Sequence, residues 1–400
     1  MNPRERIRTA LSHQQPDCLP IDFGGMRSTG IQAVAYNKLL AHLGLHNEST
    51  RLYDIFQQLA EPSEAMVDRF NGDVLQVHRL CPAFGIDILE WKPGRLPDGS
   101  ACLVPKGFNP VKNAKGGHDV VQNGQVIATM PEGGLYFDQV IHPYANATTP
   151  AEVEAIRLDP LDEQEAGFLA AQAAEKRAAS DKALLFAFGG NILEAGQLDF
   201  GYETFYMNLA LEPELMHYYF GRLAEYYIHA LDTLIPAMAN DIDLIQFGDD
   251  LGTQEATQIS VDMYREMIKP YHKRIFMHAR RRWPQLKVFF HSCGAVADLI
   301  PDLIDAGVDV LNPVQISAKG MDPAMLKREF GKDISFWGGG VNMQQTVVTG
   351  SVQDIKDEAR RHIEIFSKDG GYVFTQVHNI QANVPPEKVI AIYEAAAEFR

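Results

Sequence analysis

The chain has 400 residues, 46% of them hydrophobic and 22% charged, with a formal net charge of −16. This length allows two or three average domains, yet α/β barrels run large as single domains, so one big domain stays open. The charged and aromatic content excludes a disordered chain, and so acidic a surface repels phosphodiester backbones and anionic headgroups, which sets nucleic acid and membrane aside as partners.

No apolar run approaches the roughly 20 residues that span a bilayer. The opening MNPRERIRTALSHQQPD lacks the apolar core and small-residue cleavage site of a secretory signal, so a cytoplasmic location is expected. Four cysteines, at 18, 81, 102 and 293, are too few and too irregular for a disulfide framework.

Leu19–Phe23 and Val74–Val77 are the strand candidates of the first part of the chain. Residues 88–142 then carry dense turn signals (Pro97-Asp98-Gly99, Asn123-Gly124, Glu132-Gly133-Gly134) between short alternating strands, predicting a β-hairpin insertion after the second strand. Its role is either decoration or oligomer contact, or a lid or partner-docking surface.

From 183 onward short apolar runs alternate with helical patterns. The runs are Ala183–Phe188, Ile242–Phe247, Lys287–Phe290, Val308–Leu311, Ile334–Trp337 and Tyr372–Thr375. None alternates in polarity, as expected of parallel strands covered on both faces. Helices are predicted over Glu203–Ala237, Ser260–Arg282, Ala295–Ala306, Val352–Phe366 and Pro386–Phe399. Eight strands with helical crossovers predict an α/β fold, a TIM (β/α)8 barrel, with 1–400 as a single domain and 88–142 as its β-rich insertion; an open doubly wound sheet is the structural alternative.

Active sites of such barrels sit at the C-terminal ends of the strands. Polar and glycine residues crowd these exits: Asp22 and Arg27, His78, Asn191, Asp249 and Asp250, His291 and Cys293, Gly339 and Asn342, then Gln376, His378 and Asn379. Side chains two apart on a strand share a face, so His291 and Cys293 can converge on one tetrahedral ion such as zinc. A packed cysteine beside a hydrogen-bonded histidine is the plainer reading of that pair. His378, closing the last strand, is the first choice for a third ligand, with Asp249, Asp250 and Glu194 in reserve. One acid of Asp249-Asp250 suits a helix cap, and the other a cation or a substrate proton. Asp22 and Arg27 either pair with each other or hold a carboxylate and carry a proton.

Several of these segments resemble the uroporphyrinogen decarboxylase superfamily, in particular its corrinoid-dependent methyltransferase branch. The resemblance rests on Asn2-Pro3-Arg4-Glu5-Arg6, Pro20-Ile21-Asp22-Phe23-Gly24-Gly25, Gly248-Asp249-Asp250-Leu251-Gly252, His291-Ser292-Cys293-Gly294, Gly338-Gly339-Gly340 and His378-Asn379-Ile380-Gln381. It implies a TIM barrel whose zinc is held by a His-x-Cys pair and a further cysteine after the last strand. Here His291 and Cys293 match and His378 stands where that cysteine is expected. The porphyrinogen decarboxylases themselves carry an arginine-rich N-terminal signature, whereas this chain has Gly24-Gly25-Met26-Arg27-Ser28 with one arginine.

The resemblance therefore implies a zinc methyltransferase that works with a separate corrinoid protein, since the chain has no D-x-H-x-x-G cobalamin run. A histidine in place of cysteine points to O-demethylation of a methoxylated aromatic. Asp249, Asp250 and Asp22 are the expected catalytic acids; Arg27, His78, Asn191, Gly339, Asn342, Gln376 and Asn379 are the expected substrate contacts. A metal-free decarboxylase or lyase and a non-enzymatic tetrapyrrole or corrinoid binder are the alternatives, and self-association is compatible with all three.

Overall fold

The computed structural model describes residues 1–156, 158 and 163–400. Seven short strands position the site: β1 Val74–Val77, β2 Ala183–Gly189, β3 Leu244–Gly248, β4 Lys287–His291, β5 Val310–Asn312, β6 Ser335–Trp337 and β7 Tyr372–Val373. Their hydrogen-bonding order is β7-β6-β5-β4-β3-β2-β1, each beside its neighbour in sequence. From β2 to β6 the pairing is parallel, with Leu185 opposite Leu244, Gln246 opposite Phe289, Phe290 opposite Leu311 and Leu311 opposite Phe336. Parallel neighbours need crossovers, and helices supply them. The result is an α/β fold of TIM-barrel type.

Two compact units divide the chain: residues 1–140, 181–183 and 337–400, and residues 141–180 with 184–336. In the first, the segment expected as strand Leu19–Phe23 makes only a single parallel bridge, Ile21 to Phe374. Pro20 has no N–H to continue a ladder, and Gly24 at φ +68 turns the chain away. Asn123 and Gly124, both at positive φ, close the expected hairpin His118–Gln122/Gln125–Met130. The other hairpin, Trp91–Arg95/Ala101–Pro105, does not stand apart. It joins a five-stranded sheet with Ile31–Gln32, Arg51–Asp54 and Leu59–Glu61, short strands without a clear sequence signature.

In the second unit the long helix expected over Glu203–Ala237 is two helices, Tyr202–Leu211 and Pro213–Leu234. Pro213 can start a helix but cannot continue one, and Glu212 takes φ −127, ψ 53 at the break. The segment expected as Ser260–Arg282 has a π-helical turn, Tyr264–Ile268, before helix Lys269–Arg282 with Pro270 in its first turn. Among the described residues no helix is long and apolar enough to cross a membrane.

Candidate functional site

Strand β4 ends on His291 and runs into Ser292, Cys293 and Gly294. The Cys293 sulfur lies 3.5 Å from His291 Nε2. Nitrogen and sulfur ligands at about 2.0 and 2.3 Å from a tetrahedral ion stand about 3.5 Å apart, so the pair already has the spacing of a shared ion. Asn312 is opposite His291 in register on β5, and its Oδ1 lies 2.7 Å from Nδ1. An amide oxygen can only accept, so Nδ1 carries the proton and the Nε2 lone pair faces the sulfur.

Gly294 follows at φ +94, with its N–H donated to Gln315 Oε1 at 2.7 Å. A β-carbon there would lie 2.3 Å from the Gly252 carbonyl carbon. Gly294→Ala combines that clash with a left-handed backbone, and is expected to cost about 2 kcal/mol or more of stability, read as a lowered urea midpoint. An unchanged midpoint would show that the two loops can part.

The two successive acids after β3 have different surroundings. Asp249 is fully buried, and its carboxylate accepts the backbone N–H groups of Ile192, Leu193 and Glu194 at 3.1, 2.7 and 2.8 Å. His272 Nε2 lies 3.0 Å from Asp249 Oδ2, and the Tyr264 hydroxyl stands 3.2 Å from the other ring nitrogen. Asp249 thus ties β3 to the start of helix Leu193–Phe200 and to helix Lys269–Arg282.

Asp250 points the other way. Its Oδ1 accepts the Cys293 N–H at 2.8 Å and lies 3.6 Å from His291 Nε2, while its own N–H donates to Glu194 Oε2 at 3.0 Å. Asn191 Nδ2 also donates to that Glu194 oxygen. Burial, reinforced by Asp250 and Asp249, pushes the Glu194 carboxyl up to about 8, so it is largely protonated at neutral pH. Burial, with Asp250 and Glu194, pushes the Cys293 thiol well above its ordinary range. A thiolate here needs a cation beside it.

The remaining expected residues lie in the first unit. Asp22 accepts from Gly25 N–H at 2.6 Å, Thr29 Oγ1 at 2.8 Å and Trp337 Nε1 at 2.8 Å. Arg27 pairs with buried Asp54 and lies over the Phe56 ring, and does not pair with Asp22. His78 Nε2 is 3.2 Å from Glu61 Oε1. The Asn342 side chain accepts from the Gln344 and Gln345 N–H groups, closing a turn. Gln376 donates to Thr29 O and accepts from the Tyr393 hydroxyl, and Asn379 accepts from Gly30 N–H and donates to Gln57. Gly339, at φ +73, sits in the glycine run, where a β-carbon on Gly340 would meet the Phe374 ring at 2.4 Å. Those glycines allow close packing on the last strand.

Burial holds the Asp22 carboxyl up at about 6, against the three hydrogen bonds that lower it. The folded state therefore keeps a proton that the unfolded chain releases near pH 4. Stability should fall by about 3 kcal/mol as pH rises through that window, the contribution being complete below it. Denaturant titrations between pH 3.5 and 7 should show this slope in the native protein and its loss in Asp22→Asn; equal slopes would mean that the Asp22 carboxyl releases its proton alike in the folded and unfolded chain.

His291 and Cys293 lie in the second unit and His378 in the first. An imidazole nitrogen and a thiol sulfur 3.5 Å apart suit zinc, and a tetrahedral ion held by that pair would leave positions for further ligands. Sequence reasoning did not find His272 or Tyr264, which lie on a helix and beside a π turn, away from any strand exit. It noted Glu194 only as a reserve ligand, because its apposition to Asp250 depends on how β2 and β3 pair.

Fold and site together define a TIM-barrel-type α/β protein with a His-x-Cys pair at a strand end. Residues 136–399 match the family model described as uroporphyrinogen decarboxylase (URO-D), and the chain belongs to that family. Uroporphyrinogen decarboxylase of Chlorobium limicola is 27% identical over 192 residues, 47% of this chain and 50% of that protein. The same-named protein of Pseudomonas putida is 24% identical over 295 residues, 68% and 78% of the two chains. The chain thus spans about half the length of the first of these relatives. A methyltransferase from Methanosarcina mazei shares the fold, with a TM-score of 0.64 and 16% identity over 100% of this chain and 99% of that one.

Proposed function

We propose that this protein is a zinc-dependent methyltransferase, moving a methyl group between a small methylated substrate, such as a methoxylated aromatic, and a corrinoid protein. The observation that carries the reading is the His291 Nε2 and Cys293 sulfur 3.5 Å apart at the end of β4, with Asn312 fixing the His291 ring; His378 is the proposed third ligand. The fold shared with the Methanosarcina methyltransferase supports it. A bound zinc would supply a Lewis acid for the heteroatom that carries the methyl group.

The chain's own residues would do the rest. Asn312 holds His291 in the tautomer that presents Nε2, and Asp250 fixes the loop through the Cys293 N–H. Glu194, protonated at neutral pH, would give its proton to the oxygen that loses the methyl group, and Asn191 would hold the glutamate in place. Asp249 keeps these groups aligned, while Arg27, His78, Gly339, Asn342, Gln376 and Asn379 would shape the substrate end. A cytoplasmic location fits this chemistry.

Metal analysis of the purified protein should find close to one zinc per chain. Methoxylated, methylamine and methylthiol compounds offered with reduced corrinoid should give one class that turns over. A metal-free protein, or no turnover with any class, would end the reading. The relatives' name carries the second reading, a metal-free decarboxylase, for which carbon dioxide release without corrinoid is the signature.

A further inference from the structure

The first unit contains a cavity of about 370 Å³, lined among others by Val34, Lys38, Leu96, Leu135, Ala382 and Asn383. None of the proposed metal ligands, and neither Asp250 nor Glu194, is among its lining residues. The volume is that of a small-molecule site, well above what one or two waters need.

Its walls are held open. Gln32, itself on the lining and 2% exposed, donates through Nε2 to the Leu135 carbonyl at 3.1 Å and accepts the Ala382 N–H through Oε1 at 2.8 Å. One buried side chain thus bridges the two walls, so the space is preformed and little ordering is needed on binding. Ile31 and Ile380 form a parallel bridge close by in sequence on both walls, which adds to this rigidity. Leu135 is 38% exposed although it is a large aliphatic residue, and with Leu96, Pro97 and Val34 it offers an apolar wall with no protein side chain filling it.

The rim has a sign. Lys38 donates one N–H to the Ala382 carbonyl at 3.0 Å, which aims the ammonium along this wall while its other two N–H groups remain for a guest. The Asn383 amide is on the same lining. The one acid there, Asp98, is already engaged by the Ser100 N–H at 3.0 Å and the Ser100 hydroxyl at 2.6 Å. The remaining N–H groups of Lys38 and the Asn383 amide are the donors on this rim, and the wall opposite them is apolar.

We propose that this cavity is a second binding site, taking a small apolar molecule with a single carboxylate, such as an aromatic monocarboxylate. The apolar body would lie against Leu135, Leu96 and Val34, and the carboxylate would meet Lys38 and Asn383. This assignment is independent of the metal chemistry proposed above.

Fluorine NMR of 4-fluorobenzoate with the full-length protein tests it directly. Saturable broadening in the millimolar range is expected, reversed by benzoate and about tenfold less well by benzyl alcohol, which lacks the charge. Leu135→Trp fills the space and should abolish the signal; Lys38→Gln should weaken binding about tenfold, with the thermal unfolding midpoint and metal content unchanged. Should Leu135→Trp fail to fold, Lys38→Gln and Asn383→Leu carry the test, since both positions are exposed. Absence of saturable binding, or native affinity in the variants, would overturn the site. Equal displacement by benzyl alcohol would overturn the carboxylate.

Discussion

Cys293→Ala should lower the zinc content from about one per chain to a small fraction, and methyl transfer by about a thousandfold or more, because a Lewis acid supplies several kcal/mol of charge stabilisation. Three ligands are the fewest that hold a catalytic zinc well, and two imidazoles alone form a weak site. Cys293 sits where its thiol is disfavoured as thiolate by burial and by Asp250 and Glu194, so the sulfur gains most from a cation. His378→Cys gives the informative contrast. It replaces one good zinc ligand with another and should keep the metal. Inductively coupled plasma analysis of both variants, alongside turnover, decides the matter. Full zinc and full activity in Cys293→Ala would sink the metal reading.

Asp249→Ala should destabilise the folded protein by about 3–5 kcal/mol, the cost of removing one partner from a buried charged network. Three backbone N–H groups at the start of helix Leu193–Phe200 lose their acceptor at once, and His272 loses its partner inside the core. Asp249→Asn keeps one acceptor oxygen and should fall between native and alanine. By contrast Asp250→Asn should leave the unfolding midpoint within about 0.5 kcal/mol of native while lowering turnover, since its carboxylate is partly exposed. Urea unfolding of the three variants measures this ordering. A destabilisation below about 1 kcal/mol for Asp249→Ala would mean the helix start finds other acceptors.

These two variants separate adjacent acids that the sequence presents as equals. In Gly248-Asp249-Asp250-Leu251 the plain expectation is one cap and one chemical group, and nothing in the four residues says which is which. The distinction lies in what faces each carboxylate: the N-terminus of a helix from another crossover for Asp249, and the Cys293 N–H from the next strand for Asp250. Glu194 is similar. Its carboxyl is pushed up to about 8 because a turn after β2 brings it against a turn after β3, a proximity between residues 56 apart in the chain.

By itself the sequence determined which segments are strands from β1 to β7, because short, mostly apolar runs without in/out alternation suit strands buried on both faces. It also determined the metal-binding potential of His291 and Cys293, since two side chains two apart on a strand must share a face. It did not reveal the short strands Ile31–Gln32, Arg51–Asp54 and Leu59–Glu61, whose two to four residues are too few for a period to show. Nor did it reveal that Arg27 is committed to Asp54. Only the tertiary structure decided the partners of each charge, because ion pairs and hydrogen bonds depend on distances of a few ångströms between strand ends that sequence spacing does not encode.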